Sequence, residues 1–337
     1  VSPADLSDRT IDVVSVGHAI VDVLATCPDE LVAGFGLEKG TMTLVDHGLS
    51  EELYAALGPG TTVSGGSAAN TAVGLASLGA NSAFVGKVRD DELGSVFGHD
   101  IRAAGVAFDV PAGIDGPGTG RCMIMVTPDA EKTMCTSLGI GDLLEPDDVD
   151  VELIAQAKVV YLEGYLCGLP TTDHTVERLI SAAERFGTKV ALSLSDPFWV
   201  ELHGEDLDPL LSRVDILFAN EQEACGMVGT DDVEAAARKL AERCGVVAIT
   251  RGAEGCLVMS GGVAVAVPAE PVAGMVVDTT GAGDMYAAGF LYGWVRGGDA
   301  ERCARIGSLV ASHIICHLGA RPSRPLDVMV EEAGLAL

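Results

Sequence analysis

Apolar positions along this chain follow two rhythms. From Lys158 onward, short apolar runs alternate with longer stretches that repeat every three to four residues: Lys158–Leu162, His174–Phe186, Lys189–Leu194, Asp215–Phe218, Val233–Cys244 and Val246–Thr250. A strand-sized run followed by a helix-sized stretch makes a βα unit, and a series of them predicts a parallel sheet wrapped by helices. Ile11–Val16, rich in β-branched residues and ending at Gly17, reads as a buried strand, and Ala83–Gly86 as another. Helices are expected near Leu49–Leu57, over the Ala-rich pattern that runs through Leu78 to Gly79, over Leu93–Ala104, and at the chain end over Ala282–Arg296 and Asp299–His317. Leu257–Met259 and Val263–Val267 read as an antiparallel hairpin at the sheet edge.

The second rhythm is alternation. Between Val23 and Asp46, Gly-bounded pieces such as Thr41–Val45 suit hairpin strands better than helix. From Val106 to Gly141, Gly120–Thr127 and Lys132–Thr136 flank Pro128-Asp129-Ala130, the pattern of a hairpin. Residues 23–46 and 106–140 are therefore expected to form one small sheet, a lid closing over a core of residues 1–22, 47–105 and 141–337.

Composition narrows the class. At 337 residues with 48% hydrophobic residues the chain can bury a large core, and its mean hydropathy of +0.34 argues against disorder. The net charge of −28 repels a nucleic-acid polymer or an anionic membrane, which points to a small-molecule partner. Nine cysteines without a Cys-x-x-Cys pair argue against a disulfide framework, and His313, Cys316 and His317 read as ordinary helix residues rather than a zinc site. With no apolar run long enough for a membrane span, a reducing cytoplasm is the expected location.

The chemistry concentrates at Val277-Asp278-Thr279-Thr280-Gly281-Ala282-Gly283-Asp284, where an apolar strand is expected to meet an apolar helix through a Gly-rich turn. Unpaired amides at a helix start, with backbone that approaches a ligand closely, make an anion site. Asp284 in the first turn adds a carboxylate that the helix end is expected to keep ionised, so a base and an anion hole lie together, as phosphoryl transfer to a hydroxyl requires. A Gly-rich loop with an acidic helix start is the plainer reading. Asp22, in Gly17-His18-Ala19-Ile20-Val21-Asp22, is placed at a strand end, either to hold a substrate hydroxyl or as a loop acid. Asn70 reaches the same pocket as Gly66 or ties down its loop, and Asn220 and Glu223 face a metal together or cap a helix.

The string Asp278–Asp284, followed by a small-residue helix with Gly289-Phe290, resembles the C-terminal signature of the PfkB family, the ribokinase-like carbohydrate and nucleoside kinases. Ser64-Gly65-Gly66-Ser67-Ala68-Ala69-Asn70-Thr71, Asn220-Glu221-Gln222-Glu223 and Thr250-Arg251-Gly252 resemble the family's other blocks and stand in family order, so the likeness covers nearly the whole chain. It implies a three-layer α/β core with a mostly parallel, doubly wound sheet plus a β-lid, and an ATP- and Mg²⁺-dependent kinase. Oligomeric state, monomer or homodimer, and dependence on a monovalent cation such as K⁺ stay open. Asp284 would be the base and Gly281, Ala282 and Gly283 the anion hole. Thr279, Asp196, Asn220, Thr250, Arg251 and Gly252, with Gly281 and Gly283, would face ATP, and Asn220 with Glu223 the metal.

Three blocks resemble adenosine kinases more than sugar kinases: Tyr161–Tyr165, Leu192–Phe198 and Asn220–Ala224. The expected reaction is phosphorylation of the 5′-hydroxyl of adenosine to AMP, in purine salvage. The alternatives are a kinase of ribose, fructose, inosine or guanosine, or a non-catalytic nucleoside or nucleotide sensor. By the resemblance Asp22 would hold ribose hydroxyls, Gly65, Gly66, Ser67 and Asn70 would line the ribose, and Ile20 would touch the base, with Tyr165 and Phe198 as stacking candidates. His18 stands where relatives often carry asparagine, Leu166 where an aromatic is expected. Lys132 stands where an arginine usually contacts the transferred phosphate, or is a solvated lysine.

Overall fold

The computed structural model describes residues 6–129 and 131–337. Val1–Asp5, ahead of the first strand, and Ala130, in the expected hairpin turn, lie outside them. Among the described residues thirteen strands run β1 Ile11–Val16, β2 Ile20–Thr26, β3 Met42–Leu44, β4 Thr61–Gly65, β5 Ser82–Val85, β6 Gly120–Val126, β7 Lys132–Ser137, β8 Ala157–Glu163, β9 Lys189–Ser193, β10 Ile216–Asn220, β11 Val246–Thr250, β12 Cys256–Ser260 and β13 Val263–Val267. Eight form the large sheet in the order β13-β12-β11-β10-β9-β8-β1-β5, and five form the small one in the order β3-β7-β6-β2-β4. From β5 to β11 the large sheet is parallel, and β12 and β13 add the antiparallel edge hairpin that the sequence predicts.

The central strands are buried on both faces, so their apolar runs are continuous rather than alternating. One face packs on the helices Ser67–Ser77, Ala282–Val295 and Ala300–Ile314, the other on Pro170–Phe186, Pro197–Leu207 and Val233–Ala241. Helix Pro170–Phe186 starts with Pro at its first position and stops at Gly187 in the left-handed region, the boundary chemistry expected of such a helix. Under the small sheet, Val23, Met123, Met125 and Cys135 pack on Leu53 of helix His47–Ala56. No helix among the described residues is long and apolar enough to cross a membrane.

Three expectations need correction. The segment Val23–Asp46 is not a hairpin: after β2, Pro28 with Asp29 and Glu30 starts a short helix, Asp29–Gly34, that buries Val32, and β3 then pairs parallel with β7. β2 likewise pairs parallel with β6, so the small sheet is a mixed one. Second, that sheet takes more chain than 23–46 and 106–140. Ile20–Asp22 belong to β2, and β4 joins it antiparallel, so Asp22 is a small-sheet residue rather than one at a core strand end. Third, the run before Asp278 is no strand. The edge of the large sheet is already closed by β13, and Met275, Val276 and Val277 stand 84%, 59% and 50% exposed, tied down by Val277 N–H donating to the Ile315 carbonyl at 2.8 Å.

Candidate active site

A cleft of about 670 Å³ lies between the carboxyl ends of the large-sheet strands and the small sheet. The strand ends contribute Glu163, Ser193, Asn220 and Thr250, and the small sheet Ile20, Asp22, Met42, Leu44, Cys122, Met134 and Thr136. Ligands of open α/β sheets occupy this position because strand ends and helix starts deliver loops and amides there.

The Gly-rich turn forms the floor. Thr279, Thr280, Gly281, Ala282, Gly283 and Asp284 all line the cleft, and helix Ala282–Val295 starts at Gly281. Gly281 has φ 77°, and a Cβ there would also run into Ala320, so both backbone conformation and space demand glycine. The Asp284 carboxylate accepts from Ser67 Oγ at 2.7 Å and from Asn70 Nδ2 at 2.9 Å. Those donors come from helix Ser67–Ser77, which starts beyond Gly66, a residue with φ 93°. Two helix N-termini thus meet over one carboxylate. Burial pushes Asp284 up to about 6, with Glu163 raising it further against the hydrogen bonds of Ser67 and Asn70 and the charge of Arg321. Desolvation thus works against the helix end that is expected to keep Asp284 ionised, and brings its titration close to neutral pH.

On the acceptor side, burial likewise raises Asp22 to about 6, with Arg321 opposing and Asp284 and Asp278 adding. Asn70 Oδ1 is buried without a partner among the described residues, so with Asp22 it offers hydrogen-bond acceptors to incoming hydroxyls. Gly65 lies against the Asp22 carboxylate. His18, Ile20, Gly66 and Tyr165 line the cleft, and Tyr165 meets Trp199 edge-on at 5.5 Å. Trp199, Phe218 and Tyr286 also line the cleft, whereas Phe198 points outward, 57% exposed. Leu166 is buried in the core and takes no part.

Across the cleft, Asn220 and Glu223 close a capping box: Glu223 N–H donates to Asn220 Oδ1 at 2.8 Å, while Asn220 N–H donates to Glu223 Oε2 at 2.9 Å. Both also line the cleft with Asp196, whose carboxylate caps helix Pro197–Leu207. Burial and the nearby Asp196 push Glu223 up to about 7, against its hydrogen bonds from Asn220. Arg251 and Gly252 fall outside this cleft, in an open depression of about 490 Å³ that shares Asn220 and Thr250 with it. Lys132 is neither free nor in the cleft: its Nζ pairs with Asp278 Oδ2 at 2.9 Å. That contact, with Thr280 and Gly319 N–H, holds Asp278 down at about 2 against burial.

Sequence reasoning missed Glu163, which lines the cleft, and Arg321 and Asp142, which act on cleft residues from outside it, Arg321 on Asp22 and Asp284 and Asp142 on His18. Glu163 carried a signal, an acid ending the apolar run Val159–Leu162. Arg321 carried none, because only the folded chain brings residues 319–321 against the signature turn, with Gly319 N–H donating to Asp278 at 3.1 Å and Ala320 against Gly281.

This architecture, a mostly parallel ribokinase-like sheet with a second smaller sheet over a helix-start anion turn, defines a phosphotransferase with an alcohol group as acceptor. The chain belongs to the PfkB family: residues 11–327 match the model of the pfkB family carbohydrate kinases. Among solved structures it is similar to a probable sugar kinase from Rhizobium etli CFN 42, with TM-score 0.90 and 40% identity over 97% of this chain and 99% of that one. It is also similar to the adenosine kinase of Sinorhizobium meliloti, with TM-score 0.89 and 42% identity over 96% and 99% of the two chains. The adenosine kinase of Saccharomyces cerevisiae is 30% identical over 341 residues, 94% of this chain and 98% of that one.

Proposed function

We propose that this kinase transfers the γ-phosphate of ATP to the 5′-hydroxyl of adenosine, giving AMP and ADP, in the cytoplasm as a step of purine salvage. The observation that carries the reaction is Asp284, held by Ser67 and Asn70 in the first turn of the helix whose start lines the cleft. Asp284 takes the proton of the acceptor hydroxyl as the new oxygen–phosphorus bond forms and the bond to the ADP oxygen breaks. Gly281, Ala282 and Gly283 donate amides to the charge on the transferred group. Thr279, Asp196, Asn220, Thr250, Arg251 and Gly252 are assigned to the ATP side.

Asp22 and Asn70 Oδ1 are suited to a vicinal diol, which donates two hydroxyls. Met42, Leu44, Met134 and Leu138 make the facing wall apolar, which suits a flat base better than a bare sugar. His18, Ile20, Gly65, Gly66, Ser67 and Tyr165 complete this side of the assignment.

A divalent cation fits the opposite wall by charge: Asp196 and the buried Glu223 both line it and the Asp196 charge acts on Glu223, which disfavours both being ionised without a counterion. Among the described residues no cluster of three or more His, Cys, Asp or Glu makes a metal site by itself; Asn220, Glu223 and Asp196 would hold Mg²⁺ together with the phosphates of ATP. When bound, Mg²⁺ neutralises phosphate charge. A coupled assay with ATP, Mg²⁺ and a panel of adenosine, inosine, guanosine, ribose and fructose tests the proposal. Adenosine is expected to give the highest kcat/KM; preference for a bare sugar overturns the acceptor assignment. The kinship to a probable sugar kinase makes that the second reading to test.

A further inference from the structure

A path of hydrogen bonds and one stretch of helix backbone leads from the root of the small sheet to Asp284. Asp142 lies in Gly139–Leu143, through which the chain leaves β7 for the large sheet, and its Oδ1 sits 3.1 Å from His18 Nε2. The other ring nitrogen, Nδ1, is 2.7 Å from Glu163 Oε1, which also accepts from the His18 backbone N–H at 2.7 Å. Glu163 Oε2 accepts from Ala68 N–H at 2.9 Å. Ala68 lies between Ser67 and Asn70, the two side chains that hold Asp284.

An imidazole with a carboxylate at each nitrogen donates through both, which makes it an imidazolium. Burial works against that charge, but the hydrogen bonds to Asp142 and Glu163, with their charges, outweigh it and raise His18 to about 9. His18 and Glu163 are both buried and offset each other's charge, and Glu163 keeps the backbone N–H donors of His18 and Ala68 whichever side chain stands at position 18. His18 thus has neither ring nitrogen left for a nucleobase. The groups acting on Asp284 are Glu163, Asp22 and Arg321, with the phenols of Tyr161 and Tyr165 in the field of the same carboxylate. Those facing His18 are Glu163 and Asp142.

We propose that Asp142, His18 and Glu163 are positioning residues: they couple the root of the small sheet to the Ser67–Asn70 turn that holds Asp284, and the imidazolium offsets the Glu163 charge beside that carboxylate. This rests on the reading of Asp284 as the base. The two charges act on Asp284 with opposite sign. Removing the imidazolium leaves Glu163 uncompensated and makes Asp284 harder to ionise; removing the Glu163 charge makes it easier.

The test is the acidic limb of the pH profile of kcat/KM for adenosine with saturating ATP and Mg²⁺, or for whichever acceptor the panel selects. His18→Asn is expected to move the limb up by about half a unit or more, and Glu163→Gln to move it down. The double variant is expected to return close to the wild-type limb, and Asp142→Asn, at a half-exposed position, to lower acceptor kcat/KM several-fold with the ATP KM unchanged. If the two single variants shift the limb in the same direction, or lose activity without shifting it, the relay is wrong. Should either buried variant fail to fold, Asp142→Asn decides, and wild-type kcat/KM there overturns the coupling. Full activity in Asp284→Asn instead removes the base assignment, whatever the limb shifts show.

Discussion

Replacing Asp284 by asparagine separates catalysis from stability, with opposite signs. The folded carboxyl titrates near 6 instead of 3.8, because burial outweighs its hydrogen bonds from Ser67 and Asn70. For an acid whose folded pKa is raised, stability is fully present below the unfolded pKa and is lost as pH rises through the folded one. At about 1.4 kcal/mol per unit, two units cost the wild type roughly 3 kcal/mol above pH 6. Asparagine carries no charge but puts an amide where the Asn70 amide donates, which forfeits about 1 kcal/mol. The variant is expected to be more stable than wild type by about 1–2 kcal/mol at pH 8 and no more stable at pH 3.5. Its kcat should fall by about 10²–10⁴ while adenosine and ATP Kd values stay within a few-fold. Chemical denaturation at the two pH values, single-turnover phosphoryl transfer and calorimetric binding measure all three. A variant less stable than wild type at pH 8, or one that keeps most of its activity, would refute the burial argument or the base assignment respectively.

Gly281→Ala forces a side chain onto Ala320 at φ 77°, and should cost about 1–3 kcal/mol in thermal unfolding and most of the activity. Glu223→Ala should raise the Mg²⁺ concentration needed for half-maximal rate and lower kcat, with adenosine Kd unchanged; equal weakening of adenosine places Glu223 on the wrong wall. Lys132→Ala frees Asp278 and should weaken closure of the small sheet, raising acceptor KM several-fold while ATP Kd changes little, as equilibrium and steady-state titrations would reveal. Wild-type kcat/KM should fall as pH drops through about 6, where Asp22 and Asp284 both take up protons.

The core was legible because its strands bury both faces: Val159–Leu162 and Val247–Ile249 read as strands wherever they sit. The signature turn was legible because Gly281 and the acid at 284 have few other uses in that order. What could not be read was pairing. Nothing local distinguishes the parallel partners β2 and β6 from a hairpin, since the same alternation serves both. Likewise the valine-rich run ending at Val277 has strand composition, and only the closed edge at β13 denies it a partner. The residues missed around Asp284 share that origin: Asp142, Glu163 and Arg321 come from three separate segments and matter only through their distance to the others.

The same arrangement reconciles an acid chain with an anionic substrate. A net charge of −28 disfavours ATP at long range, and Asp22, Glu223 and Asp284 add three carboxyls to the cleft. Yet all three titrate near 6 or 7 because they are buried, so each is poised between neutral and charged forms at working pH. The two acids whose surroundings are already compensated, Asp278 by Lys132 and Glu163 by His18, flank the acceptor and phosphate turns. The others, offset only in part where Arg321 acts on Asp22 and Asp284, face the places assigned to a hydroxyl donor and to a cation. Acceptor and Mg²⁺ therefore bring what the cleft lacks, hydrogen-bond donors for Asp22 and Asp284 and positive charge for Glu223. The amides of Gly281–Gly283 supply attraction for phosphate, with Arg251 assigned to the ATP side and the buried Arg321 acting on Asp22 and Asp284. Long-range repulsion then selects against large anions, while the local field admits a small one that arrives with its own cation.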